Sequence, residues 1–126
     1  MSVFSDLRDA LVDDLPELNV SPSWPDTLTP PCAFITPPLS DEYVKQGPMF
    51  GEHTIALDLV LLVAHNDAAT ALGALETMVE YALSQTADWT LTSVDAPAPT
   101  TVSENGAEYL ASVIHLSKPV RIGVGL

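Results

Sequence analysis

The stretch 52-EHTIALDLVLLVAH-65 constrains the fold most, because it predicts a long strand that is apolar on both faces. One face carries Ile55, Leu57, Leu59, Leu61 and Val63, and the other carries Ala56, Asp58, Val60, Leu62 and Ala64. A strand with one face in water alternates between apolar and polar side chains, and this one does so only at Asp58. Both faces of the predicted strand therefore need a cover.

Two segments with helical spacing predict helices that can cover one face. Residues 3–15 place five apolar side chains on one side of a helix, which Pro16 ends. A second helix is predicted from the N-cap candidates Asn66 and Asp67 to about Gln85, with an apolar stripe facing inward.

The remaining chain predicts shorter strands and irregular segments. Cys32–Thr36 is a short strand between two proline pairs, 89–94 is a third strand and 107–119 is the last long one. Residues 16–31, anchored by Trp24, and residues 37–51 are predicted loops, and residues 95–106 are a predicted hairpin with an Asn105-Gly106 turn. The whole chain, 1–126, is expected to be one α+β domain. Its sheet is mainly antiparallel, with about four strands and both helices on one face.

The prolines around Cys32 bear on how the sheet ends. They remove ladder donors on both sides of Cys32–Thr36, which predicts a short edge strand that pairs only with a specified neighbour. Alternation sends Cys32 and Phe34 to one face and Ala33 and Ile35 to the other. Since two helices leave little to cover the second face, we expect a neighbouring copy of the chain to cover it.

The charge balance excludes several classes of partner. The net charge is −13, and the cations are Arg8, Lys45, Lys118 and Arg121. Such a surface repels phosphate, which disfavours both sequence-specific nucleic-acid binding and anionic membranes. The N-terminus lacks a secretory signal pattern, no apolar run reaches a membrane span, and one cysteine fits a reducing cytoplasm.

The residue types that could carry chemistry do not form a predicted catalytic or metal site, so we expect no enzyme activity, metal or cofactor. Cys32 has no neighbouring cation in sequence and is interpreted as a core residue. His53 and His65 would lie about 40 Å apart on one strand, and no zinc-ligand spacing includes His115. Glu76 and Glu80, one helical turn apart, are interpreted as a solvated helix face.

Asp58 is the one charged residue inside the apolar strand, where an unpaired carboxylate is costly to bury. Two alternatives stay open: a salt bridge to a cation such as Lys118 or Arg121, or a position beside an aqueous channel.

The order of these elements resembles a known family. An N-terminal helix and a Pro-rich stretch precede P-C-A-F-I-x-P and TIALDLVLLVA, followed by AATALGALETMVEYAL, W-T-L-T-S-V and a Tyr-containing strand that ends in KPVRIG. This pattern is similar to that of the tail-terminator and neck proteins of long-tailed phages, particularly those infecting actinobacteria. The resemblance covers nearly the whole chain and rests on pattern and element order, without a signature set of residues.

The resemblance implies a structural virion protein, assembled in the host cytoplasm. It would form a homo-hexameric ring that caps the tail tube, ends tail polymerisation and docks on the head connector, while genomic DNA passes through the lumen. Candidate lumen or interface residues are Asp58, Cys32, Phe34, Tyr43, Lys45, Met49, Phe50, Pro97 and Pro99. The alternatives are another neck or tail ring protein, either a head-completion connector or a tail-tube subunit, and, from a different class, a small acidic binding module or hydrolase.

Overall fold

A computed structural model describes residues 3–23, 30–38, 42–46, 52–65, 67–101 and 108–121. Two helices and seven strands follow one another in these ranges. In chain order they are α1 Val3–Asp14, β1 Val20–Ser21, β2 Cys32–Thr36, β3 Val44–Gln46, β4 Glu52–Ala64, α2 Ala68–Gln85, β5 Thr90–Val94, β6 Ala98–Thr101 and β7 Glu108–Arg121. Neither described helix is long and apolar enough to cross a membrane.

The sheet is built around β4 and β7, which pair antiparallel along their whole lengths, from Glu52 opposite Arg121 to Ala64 opposite Tyr109. Strand β2 pairs antiparallel with β4, and β1 pairs parallel with β2. On the far side, β5 and β6 both pair antiparallel with the outer edge of β7. The α+β class is confirmed. The described sheet has seven strands instead of about four, and it is mixed because β1 and β2 pair parallel, while the other pairings are antiparallel as predicted.

Three short strands lie where the sequence pattern predicts irregular chain. Strand β1 falls in the predicted 16–31 loop, and β3 falls in the predicted 37–51 loop, where it pairs with β4. Strand β6 forms one arm of the predicted 95–106 hairpin and carries Pro99 opposite Leu110. Strands of two to four residues are too short for alternation to show, and an edge strand tolerates a proline because its outer N–H needs no partner.

Both helices pack on the same face of the sheet, as predicted. The core on this face joins Leu7 and Leu11 of α1 with Leu75 of α2 and the first set of β4 side chains, including Leu57 and Leu59. Helix α2 begins after Asp67 and ends at Gln85, as the sequence pattern predicts. Burial of these aliphatic side chains is the main source of stability on this face.

The second face is buried within the single chain over its apolar half. Cys32 and Phe34 of β2 pack there with Val60, Leu62 and Tyr109, and each of the five is at most 8% exposed. The predicted alternation is confirmed, because Ala33 and Ile35 belong to the helix-covered core. The apolar pattern of this face is therefore no longer an argument that a neighbouring copy covers it.

Strand β2 is not the edge strand that its prolines predict. Val20 and Ser21 of β1 pair with Ala33 and Phe34, so the outer side of β2 is occupied by the same chain. Trp24, the predicted anchor of the preceding segment, lies outside the described residues.

Candidate functional site

An imidazole held between two carboxylates is the most distinctive polar arrangement in the described residues. Nδ1 of His115 lies 2.7 Å from Oδ1 of Asp58, and Nε2 of the same ring lies 3.0 Å from Oδ1 of Asp95. An ionised carboxylate only accepts hydrogen bonds. Both contacts are therefore satisfied when the ring carries both protons and donates one to each carboxylate.

The sheet register places these residues together. Asp58 and His115 are direct partners across the β4–β7 ladder and point to the second face, below the apolar cluster. Asp95 is the first residue after β5, and its backbone N–H donates to the carbonyl of Val113 over 2.8 Å. The hydroxyl of Ser112 donates to the Asp95 carbonyl over 2.8 Å, so β7 fixes both ends of this residue.

Burial differs sharply across the three side chains. Asp58 is 1% exposed, the His115 side chain is 14% exposed and the Asp95 side chain is 58% exposed. Burial by itself lowers the pKa of His115, but the hydrogen bonds and charges of Asp58 and Asp95 outweigh it and raise the pKa above its ordinary value. The site thus stabilises a partly buried imidazolium.

A cleft of about 230 Å³ opens beside this cluster. It is lined by Pro38, Ala56, Asp58, Thr92, Ser93, Asp95, His115 and Leu116. Because the two ring nitrogens point in opposite directions and each contacts a carboxylate, the three residues cannot converge on one metal ion. The part of the chain that the structure describes contains no group of three or more His, Cys, Asp or Glu side chains able to hold one.

The cluster also lacks the arrangement of an acid–base catalyst. A general base needs a ring nitrogen free to accept a proton from a nucleophile. In this geometry both nitrogens of His115 already face carboxylate oxygens. The chemistry it supports best is a structural ion pair that changes with protonation.

The sequence left the partner of Asp58 open between a cation and an aqueous channel, and the structure gives it His115. Lys118, one of the two cations considered, has its Nζ 5.2 Å from the centre of the Trp89 ring. Arg121 is opposite Glu52, at the far end of the ladder. Sequence reasoning missed His115 and Asp95 because their approach depends on a register between residues 57 and 20 positions apart.

The predicted interface residues that the structure describes lie on several different strands and on the segments beside them. Cys32 and Phe34 are buried and offer little surface to a partner. Tyr43 is half-buried against Phe4 with ring centroids 5.0 Å apart, while Lys45 is exposed on β3. Pro97 and Pro99 are exposed near β6, and Met49 and Phe50 lie outside the described residues.

The other residues considered as candidate sites have the burial or exposure that the sequence predicts for structural residues. Cys32 is a buried free thiol, and Glu76 and Glu80 are exposed on α2. His53 is near the start of β4 and His65 directly follows its end, where Nδ1 of His65 lies 3.9 Å from Oε2 of Glu108. The two histidines therefore lie at opposite ends of β4.

No described strand pairs with the outer edge of β5. It is the last strand in the sheet order, all of its residues are uncharged, and four of the five are exposed. Leu91 in this strand is 48% exposed, which is the largest exposure among the described large apolar side chains. A groove of about 410 Å³ runs between this end of the sheet and α2, with Glu76, Glu80 and Asp95 among its lining residues.

No known protein-family model matches the chain, and a search of curated proteins finds no match.

Proposed function

We propose that the chain is a structural virion protein of the head–tail junction of a long-tailed phage. In this proposal identical subunits form a ring, with six as the expected number, that caps the tail tube and ends its polymerisation. The ring joins the tail to the head connector and lets genomic DNA pass through its lumen. The order of elements in the sequence suggests this function, and one structural observation supports assembly.

That observation is the outer edge of β5, which has no partner strand among the described residues. An edge strand displays backbone N–H and C=O groups that can pair with another chain, and proteins usually protect such edges with charges or by shortening them. Here the strand is uncharged and carries the exposed Leu91. The register shift between Leu91 and Ser93 makes this strand irregular. An irregular edge pairs well only with a strand of matching shape, which favours one defined neighbour over open-ended association of strands.

A closed ring needs two different surfaces on each subunit, one at each end of the contact. The β5 end of the sheet lies beside the carboxylates of Glu76 and Glu80. The other end consists of the short strands β1 and β3, where Lys45 is exposed. A head-to-tail arrangement would bring the β5 end of one subunit to the β1–β3 end of the next.

The net charge of −13 is compatible with DNA passage through a lumen. Carboxylates repel the phosphate backbone, so a wall rich in them would not retain DNA. Because charge is a property of the whole surface, it supports this role without assigning a face to the lumen.

Electron microscopy of the purified protein distinguishes this proposal from its alternatives. Single rings are expected for a terminator or connector, whereas long tubes would indicate a tail-tube subunit. A strict monomer at every protein concentration, by light scattering and microscopy, would overturn the ring and favour a small binding module.

The role of β5 is tested with Leu91→Lys, which places a charge on the outer strand. The matched control is Leu72→Lys, because Leu72 is similarly exposed on α2 but distant in sequence and outside the sheet. Rings are expected to persist in the control and to disappear in the β5 variant while its circular dichroism stays that of the wild type. Equal loss of rings in both variants would contradict an interface at β5.

A further inference from the structure

Residues 95–97 form a break between β5 and β6, and Asp95 is the residue of this break that hydrogen-bonds to β7 in the described structure. Val94 is opposite Ile114 and Ala98 is opposite Ala111, so three residues of the outer strand face only Ser112 and Val113 of β7. Such a bulge interrupts the ladder and removes regular pairing. Of the three residues in the break, Asp95 is held by its backbone N–H, its carbonyl and its carboxylate.

We propose that Asp58, His115 and Asp95 form a protonation-dependent clasp that ties the β5–β6 break to the middle of the sheet. With the ring doubly protonated, His115 donates to both carboxylates and the outer strands are held against β7. When the ring loses a proton, the bond to Asp95 is broken and the break loosens. This clasp is a property of the single chain and does not depend on the proposed ring.

The burial of the two carboxylates determines which bond is lost. Asp58 is almost fully enclosed, and a buried carboxylate that loses a hydrogen-bond donor is destabilised. Asp95 is more than half exposed, so water can replace its bond to the ring. The remaining proton therefore stays on Nδ1, and the lone pair of Nε2 then faces Oδ1 of Asp95, which moves that carboxylate away from the ring.

Asp58 and Asp95 are the two groups that control the protonation of His115. Strand β4 contributes Asp58 and Ala56, and β5 contributes the uncharged Thr92 and Ser93. Pro38 and Leu116 complete the lining. Among the described residues that line this cleft, the only titratable groups facing the ring are Asp58 and Asp95, and both raise its pKa.

Amide hydrogen exchange measured by NMR between pH 5.5 and 8.5 tests the clasp, after correction for base-catalysed intrinsic exchange. The probe is the Asp95 amide, which donates to Val113 at the break. Its protection factor is expected to fall about tenfold as the pH rises, the equilibrium equivalent of one lost hydrogen bond. The control is the Ala33 amide, which donates to Asn19 at the opposite end of the sheet and should show no such fall.

The variant Asp95→Asn separates the clasp from general pH effects. Its side chain is exposed, so the fold should persist, and its neutral amide removes the attraction to the imidazolium. Protection of the residue 95 amide is expected to be independent of pH in this variant, because the Asn side chain can accept from Nε2–H of the protonated ring or donate to Nε2 of the neutral ring. Undiminished protection in the wild-type protein across the range, or the same pH dependence in Asp95→Asn, would overturn the proposal. Imidazole nitrogen shifts showing a neutral His115 at pH 5.5 would do the same.

Discussion

Nδ1 of His115 lies 2.7 Å from Oδ1 of Asp58, directly across the ladder between the two longest strands of the sheet. The pair lies on the second face of the sheet, next to the apolar cluster that contains Val60 and Phe34. Removing one member of a buried ion pair leaves the other charge without that partner and destabilises the fold.

Replacing Asp58 with Asn is expected to lower the free energy of unfolding by about 2 kcal/mol, since hydrogen bonds to charged groups contribute roughly 1.5–3 kcal/mol. The variant keeps the shape of the side chain and removes its charge. Urea denaturation at pH 6 measures the effect, and Asp9→Asn, on the exposed side of α1, is the control. Equal stability of the two variants would show that the Asp58–His115 pair is not stabilising.

The stability of the protein is expected to fall as the pH rises above neutrality. Because the pKa of His115 is raised in the folded chain, the folded state binds the proton more tightly than the unfolded state. This contribution is fully present below the unfolded value of about 6.5 and is lost as the pH rises through the higher folded pKa. Urea denaturation at several pH values should show the decrease, and His115→Gln should flatten it. A wild-type curve that rises with pH across this window would contradict the assignment.

The sequence predicts those elements that are long enough to show a period. The alternation of β4 and the helical stripe of α2 each extend over more than ten residues, and both elements lie where they were predicted. The sequence does not predict β1 and β3, because two or three residues are too few to show alternation. These strands are stabilised by pairing, β1 with β2 and β3 with β4.

The polar cluster could be predicted only in part. An isolated Asp58 in an apolar strand indicates that a partner must exist. The pairing of Asp58 with His115 depends on the β4–β7 register, and the approach of Asp95 depends on the break between β5 and β6. Neither is encoded in the local spacing of His115 or Asp95.

Tyr43 is expected to stabilise the position of α1 over the sheet. Its ring packs against Phe4, its hydroxyl accepts a hydrogen bond from Arg8 over 3.4 Å, and its carbonyl accepts one from Ala56 of β4. Tyr43→Ala should destabilise the protein by about 1–2 kcal/mol, as expected for a half-buried aromatic ring. Tyr43→Phe keeps the ring and should change stability by less than about 0.5 kcal/mol. Thermal unfolding that shows equal losses would assign the effect to the hydroxyl instead.

Cys32 is expected to behave as a packing residue towards thiol reagents. The thiolate is the reactive form, and burial in an apolar cluster restricts the access of a reagent to the sulfur. Reaction with a chromogenic disulfide should be slow in the native protein and rapid and stoichiometric in guanidinium chloride. A native rate equal to that of the unfolded chain would place the sulfur at an accessible surface.

Phe34→Ala tests whether the second face is buried by the chain itself. Phe34 is 2% exposed and packs with Val60 on the face opposite the helices. Removing a buried aromatic side chain costs about 3–5 kcal/mol, so a comparable decrease in the free energy of unfolding is expected. If the same residues were covered by a neighbouring copy, the stability of the wild-type protein would increase with protein concentration. Chemical denaturation at several protein concentrations separates the two cases. A large effect of the substitution that is independent of concentration supports burial within one chain, whereas a small effect, or one present only in the assembled protein, contradicts it.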